Sequence, residues 1–366
     1  MKLNWFKNSN PSLRKMHVMQ IQLITVLLVL VVKINGAALN ATNYQYQLAE
    51  QGTPAPDLQI VDILLEDQNM VRAWGSNLTA ITWAHAVNNQ QLLDEALSAD
   101  IDFIEADISL GKLNGEGEDL PVMAHPPANI SDLTLAEFLN QIMDFNRNHQ
   151  GQEKGIKLDF KSIEVFEGSL DILDANIPNM TYPIWINADI LSGPVDQNKT
   201  VPVDPDRFFA GCNRYKQAVL SIGWTTNWGA DFREGEYTEE HCNAMLETLT
   251  QNNVLFTGQG ITFPVRAGIA ANSEDQLHKL VASVNGTNES TLTVWSSAGD
   301  YVDVAKLRKL ILGFGVSRVY LDVPEELAAE LDLGNTRNGA STYKSLFGFG
   351  FVSLCFWAIS SWLQRF

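Results

Sequence analysis

Asp102-Phe103-Ile104-Glu105-Ala106-Asp107-Ile108 is the stretch on which the fold of this chain turns. Its apolar residues mark a buried strand. Glu105 and Asp107 stand two apart within it, and residues two apart in a strand point to the same face. A buried strand with two carboxylates on one face predicts a polar site rather than an apolar core on that side.

Similar short runs recur on both sides of it, at Ile81–Ala84, Gly155–Phe160, Pro183–Ile190, Ala218–Trp224, Ile261–Val265, Thr291–Trp295 and Ser317–Val323. Amphipathic stretches separate them. Asn88–Ser98 places Leu92, Leu93, Ala96 and Leu97 on one face. Leu133–Phe145 follows Ser131-Asp132, Glu274–Val284 follows Ser273, and Val302–Leu312 follows Asp300, each with cap material before it. Eight strands alternating with helices predict an α/β fold of the (β/α)8 TIM-barrel type, usually ~250 residues long. A doubly wound open sheet is the rival, but no Gly-x-Gly-x-x-Gly follows the first strand.

In such a barrel, polar residues at the carboxyl ends of the strands converge on one mouth. His85 ends the first run, and His125 closes a short extended segment, Pro121–Ala124. Lys157, Asp159 and Lys161 share one face of the third run. Carboxylate oxygens suit a hard divalent cation, so Glu105, Asp107 and Asp159 are candidate ligands for Mg²⁺ or Ca²⁺. His85 and His125 are a candidate acid–base pair, because imidazole titrates near neutral pH. Lys161 adds positive charge for a phosphoryl group in flight. Lys157, Asn187, Arg266 and Trp295 lie where they would line the pocket, and Asp189 is placed with them. Asp322, on the last run, either caps the closing loop or meets substrate. Each taken singly has a plain structural reading: a strand-end histidine, a solvated edge, a surface ion-pair ladder.

The order His85, Glu105-Ala106-Asp107, His125, Asp159-Phe160-Lys161 resembles the phospholipase-C-like phosphodiesterase superfamily, with its glycerophosphodiester phosphodiesterase and sphingomyelinase-D branches. Thr293-Val294-Trp295 and Leu321-Asp322-Val323-Pro324 are similar to its late strands. A closer resemblance is to the menorin family. It is carried by Trp83-Ala84-His85-Ala86-Val87-Asn88, Met123-Ala124-His125-Pro126-Pro127, Gly155–Lys161, Trp185-Ile186-Asn187-Ala188-Asp189-Ile190-Leu191 and Ser221-Ile222-Gly223-Trp224. The resemblance implies a barrel, a phosphodiesterase-like metal site and an extracellular setting, with adhesion partners in dendrite patterning. Two departures stand out. Ala86-Val87 replaces the Arg-Gly that follows the first histidine in glycerophosphodiesterases, and Asp159 fits the sphingomyelinase-D arrangement better than the commoner glutamate.

The chain's 366 residues carry 25 Lys+Arg against 43 Asp+Glu, a net charge of −18, which argues against a nucleic-acid partner. Nine Trp and 17 Phe in regular apolar runs exclude intrinsic disorder. Residues 1–38 combine Lys2, Lys7, Arg14 and Lys15 with the apolar stretch Ile21–Val32 and the small residues Gly36-Ala37-Ala38. They read as a signal peptide, with an uncleaved anchor as the alternative. Residues 39–75 read as a lead-in, 76–324 as the barrel, 325–345 as a stalk and 346–363 as a hydrophobic tail. Asn338-Gly339-Ala340 ahead of that tail favours a GPI signal over a spanning helix.

These ends imply the secretory pathway and a place at the cell surface or in the extracellular space. Sequons at Asn40, Asn77, Asn129, Asn179, Asn198, Asn285 and Asn288 then become candidate glycosylation sites, and Cys212 and Cys242 the candidate disulfide. Two functions follow as expectations. One is a metal-dependent phosphodiesterase acting on a phospholipid or glycerophosphodiester. The other is a non-catalytic ligand of an extracellular adhesion receptor that keeps the barrel.

Overall fold

The computed structural model describes residues 77–334 apart from 196–199 and 286. The signal peptide, lead-in, tail, Asn40 and Asn198 lie outside the described residues. All eight expected strands are present: β1 (Trp83–Ala84), β2 (Phe103–Leu113), β5 (Gly155–Phe160), β6 (Ile184–Ser192), β7 (Val219–Thr225), β8 (Ile261–Arg266), β9 (Ser290–Trp295) and β10 (Val319–Asp322). They pair in parallel in that order around a nearly closed barrel. The helices α1 (Gln90–Ser98), α2 (Leu135–Asn148), α3 (Ile163–Gly168), α4 (Leu170–Asn176), α5 (Pro205–Cys212), α6 (Glu239–Gln251), α7 (Ala267–Ala270), α8 (Glu274–Asn285), α9 (Val304–Phe314) and α10 (Glu325–Leu331) fill the connections. The chain is thus a (β/α)8 barrel.

The main core lies outside the strands, under the helices. Ile104, Ala106 and Ile108 of β2, Ile156 and Leu158 of β5, Ile186 and Ala188 of β6, and Phe263 and Val265 of β8 face that layer and are almost fully buried. Residues of the opposite parity face the barrel axis. At its lower end Trp83, Phe103, Trp185 and Tyr320 pack as an aromatic plug, with ring centroids 4.7 Å apart for Trp83–Phe103 and 4.9 Å for Phe103–Trp185. Above the plug the axis-facing positions turn polar: Glu105, Lys157, Asn187, Ser221, Thr262 and Thr293 are all buried.

Capping explains where helices start. Thr134 and Glu137 form a reciprocal capping box, so α2 begins at Leu135, two residues later than Ser131-Asp132 suggests. Asp303, rather than Asp300, caps α9. Asp300 is drawn away by an arginine described below.

Between β2 and α2 the chain makes an excursion legible in the sequence only at its end. β3 (Glu116–Met123) runs antiparallel to β2 with Ile108 opposite Met123, and β4 (Ile130–Ser131) pairs the far end of β2. Asn114 (φ 53°) and Gly115 (φ 81°) make the two-residue turn, both left-handed as a type I′ hairpin requires.

Three expectations are corrected. The first is the Cys212–Cys242 disulfide: both residues are buried free thiols. Cys212 ends α5, beside the start of β7, whereas Cys242 lies in the first turn of α6, beyond the end of β7. A seven-residue strand, roughly 23 Å at ~3.3 Å per residue, therefore separates the levels of two groups that a bridge would need within ~7 Å. The second is Asn288. It is 3% exposed, and its Nδ2 donates to the Val254 and Gln259 carbonyls and to Thr257 Oγ1, so a glycan has no room there. Asn129 and Asn179 are exposed. The third is the stalk. Residues 325–331 are not a stalk but α10, held by Arg308 Nε donating to the Leu331 carbonyl and by Leu331 buried in the core.

Two outcomes check this architecture. A Cβ on Gly155 would stand 2.6 Å from the Phe103 ring, which Trp83 and Trp185 hold in place. Gly155→Ala should therefore cost about 1–3 kcal/mol in a urea titration of the full chain. Alkylation of protein denatured without reductant should label both Cys212 and Cys242, as read by peptide mass.

Candidate functional site

The segment that leaves β1 holds the site's acids in place. Ala86 adopts a left-handed φ of 54°, which turns its N–H onto Glu105 Oε2 at 2.7 Å. Two residues on, Asn88 grips Asp107 twice. Its Nδ2 donates to Asp107 Oδ2 at 2.7 Å, and its Oδ1 accepts the Asp107 N–H at 2.9 Å. β2 and β5 pair Glu105 with Lys157 and Asp107 with Asp159. The triad Glu105, Asp107 and Asp159 thus comes together, with one oxygen of each within 4.8 Å of the others.

Lys161, the residue after β5, sits between two of them, its Nζ 2.6 Å from Asp107 Oδ1 and 2.6 Å from Asp159 Oδ2. His85 reaches across the seam between the first and last strands. Its Nδ1 is 2.9 Å from Asp322 Oδ2 and 3.5 Å from Glu105 Oε2. A carboxylate only accepts, so Nδ1 carries a proton and Nε2 is the atom left for a ligand. His125 lies just past β3 and is exposed. Its Nδ1 is 2.7 Å from the Pro126 carbonyl, so that nitrogen is the donor, and in the neutral imidazole tautomer this selects, Nε2 has the lone pair.

Burial and mutual charge split the titrations. Burial works against a charged His85, but the Asp322 and Glu105 carboxylates outweigh it and push its pKa up to about 10. Burial raises Glu105 to about 7, helped by Asp107 and opposed by His85. Asp107 is buried too, yet Lys161 and His125 hold it down at about 2. Burial and the neighbouring Asp159 raise Asp189 to about 7. Above about pH 7, once Glu105 and Asp189 have lost their protons, the five carboxylates of Glu105, Asp107, Asp159, Asp189 and Asp322 outnumber the three cations His85, Lys157 and Lys161 by two. Hard oxygen donors and that surplus fit a divalent cation held by Glu105, Asp107 and Asp159.

The remaining pocket candidates divide. Lys157 and Asn187 face the axis beside the triad. Arg266 is at the mouth but committed to a bidentate pair with Asp300, its Nε 2.8 Å and its Nη2 2.9 Å from the two carboxylate oxygens. It stacks on Trp295 with 4.9 Å between guanidinium and ring centroid, so it orients that ring instead of standing free for phosphate. Asn88 and the Ala86 N–H were not anticipated. A backbone donor leaves no residue-type signal, and the only trace of Asn88 is its place three residues after His85.

The His85–Asp322 contact also predicts a pH signature. His85 rises from an ordinary 6.5 to about 10, so its contribution to stability is complete below about pH 6.5 and is lost as pH climbs through about 10. Thermal melts from pH 6 to 10.5 should show an alkaline loss of Tm that is smaller in Asp322→Asn.

The menorin N-terminal domain family model matches residues 77–328. The human protein FAM151B is 34% identical over 245 residues, covering 67% of this chain and 83% of its own. Among solved structures, the Haloferax volcanii malate synthase lead(II) complex is similar at 11% identity and a TM-score of 0.39, over 74% of this chain and 76% of that one. N2152 from Neocallimastix frontalis is similar at 11% identity and a TM-score of 0.36, over 70% of this chain and 63% of that one, under two thirds of its length. At these scores nothing about this chain follows from either structure. The family match spans the whole described barrel, from the residue before its first turn into its last helix, and on that ground the chain belongs to the menorin family.

Proposed function

We propose that the barrel mouth is a metal-dependent phosphodiesterase site on a protein of the cell surface or extracellular space, acting on a phospholipid or glycerophosphodiester. The convergence of three carboxylates, His85 and Lys161 on β1, β2 and β5, with His125 just past β3 where the Ala124 N–H meets the Asp107 carbonyl, carries this reading. Mg²⁺ or Ca²⁺ held by Glu105, Asp107 and Asp159 would supply Lewis acidity toward a phosphoryl oxygen.

The chain's own residues have distinct parts. His125, with its lone pair on Nε2, takes the proton of the attacking water or substrate hydroxyl. His85 keeps its proton through Asp322 and delivers it from Nε2 to the leaving oxygen. Lys161 stabilises the charge that builds on phosphorus. The surface setting rests on the apolar ends of the sequence and its sequons. The chain's net charge of −18 would repel anionic lipid, which favours zwitterionic or soluble diesters.

The test uses the full chain with a panel of lysophospholipids, sphingomyelin and glycerophosphodiesters, with Mg²⁺, Ca²⁺ or chelator. Turnover should require metal and fall by about 10²–10⁴ in His125→Ala, an exposed position at which Tm is retained. Mg²⁺ should raise the Tm of the parent chain and not that of Asp159→Asn. A parent chain that is stabilised by Mg²⁺ but turns over no substrate would overturn the enzymatic reading and leave the adhesion-ligand one.

A further inference from the structure

Lys157 is 4% exposed and makes no hydrogen bond or ion pair with any described residue. Every other lysine or arginine buried about the barrel has its partner. Lys161 bridges Asp107 and Asp159, Arg266 is forked onto Asp300, and Lys154 donates to the Ala99 and Ile101 carbonyls. A lysine ammonium offers three donors and no acceptor, so what Lys157 lacks is an oxygen to donate to.

On the neighbouring strand Asn187 is 2% exposed. Its Oδ1 accepts the Ser221 hydroxyl at 2.6 Å, a separation proper to O–H···O rather than to N–H···O. That contact fixes the amide orientation and leaves Nδ2 without an acceptor among the described residues. Asn187 stands opposite Asp159 in the β5–β6 register, so it is one diagonal step from Lys157 on the axis-facing surface. Neither nitrogen is among the partnerless side-chain atoms sealed from solvent, so both open onto the polar space of the mouth. Two donors on adjacent strands, open to the mouth beside a carboxylate triad and without a protein acceptor, suit an acceptor that arrives from outside.

We propose that Lys157 and Asn187 form an oxyanion subsite that takes a non-bridging phosphoryl oxygen of the ligand. This rests on the phosphodiester reading and deepens it. A phosphoryl group has enough oxygens to meet the cation side of the mouth with one and these two donors with another.

Titration calorimetry of the full chain with inorganic phosphate in Mg²⁺ tests it, using Lys157→Gln and the isosteric Asn187→Asp. Phosphate affinity should fall about 10- to 100-fold in each. Mg²⁺ affinity without phosphate should change less than about threefold in Lys157→Gln, since Lys157 is not a ligand of the cation. Phosphate binding unchanged in the folded variants, absent from the parent chain, or matched by acetate would overturn the subsite. If Lys157→Gln does not fold, Asn187→Asp decides alone. A parent chain that binds no Mg²⁺ yet binds phosphate through Lys157 would remove the metal and keep the subsite.

Discussion

Carboxylates inside a barrel are the constraint that the rest of this molecule answers. Glu105, Asp107 and Asp322 are at most 4% exposed, and an unpaired buried charge is among the most expensive things a fold can contain. Each therefore has a designated partner: the Ala86 N–H for Glu105, Asn88 and Lys161 for Asp107, His85 for Asp322. The partners come from the segment after β1 and the end of β5, and one of them, His85, reaches an acid on the last strand. Satisfying the acids and closing the barrel are thus one act. Apolar packing is displaced outward, to the layer between strands and helices, and downward, to the Trp83–Phe103–Trp185 plug.

This arrangement explains what the sequence disclosed and what it withheld. The period-two apolar runs report the strand–helix packing directly, and Glu105/Asp107 and Lys157/Asp159/Lys161 report the axis-facing side, because both follow from local alternation. Partners set by topology carry no local signal. Asp322 reads as a loop cap until the last strand returns beside the first, and Asp300 reads as a helix cap until Arg266 claims it. The Cys212–Cys242 pair was inferred from compartment alone, and the alternation of ends around a barrel sets the two thiols apart. Asn288 matches a sequon, but burial, which its tripeptide does not encode, gives its amide to Val254, Thr257 and Gln259.

The same polar interior separates stability from chemistry in an uncommon way. The helices and their apolar layer would hold a barrel of this kind with any small polar residues along its axis. Instead the axis carries formal charges that nearly cancel, and the residues that cancel them stand at its open end. Lys161 and His85 are at once structural counter-ions and the groups with reach into the mouth, while Arg266 has been given over wholly to structure.

The His85–Asp322 contact joins residues 237 positions apart. At ~5–20 residues per second of synthesis, its second half emerges roughly 12–47 s after its first. Until then Glu105 and the imidazole have each other but not the acid that completes them, and β1, two residues long, has no neighbour on its open side. A ribosome-bound chain therefore holds most of the fold's helices before it holds a finished site, and a chain cut short anywhere before residue 322 has neither a closed barrel nor a complete mouth. Arrival of the last strand is what completes the polar cluster.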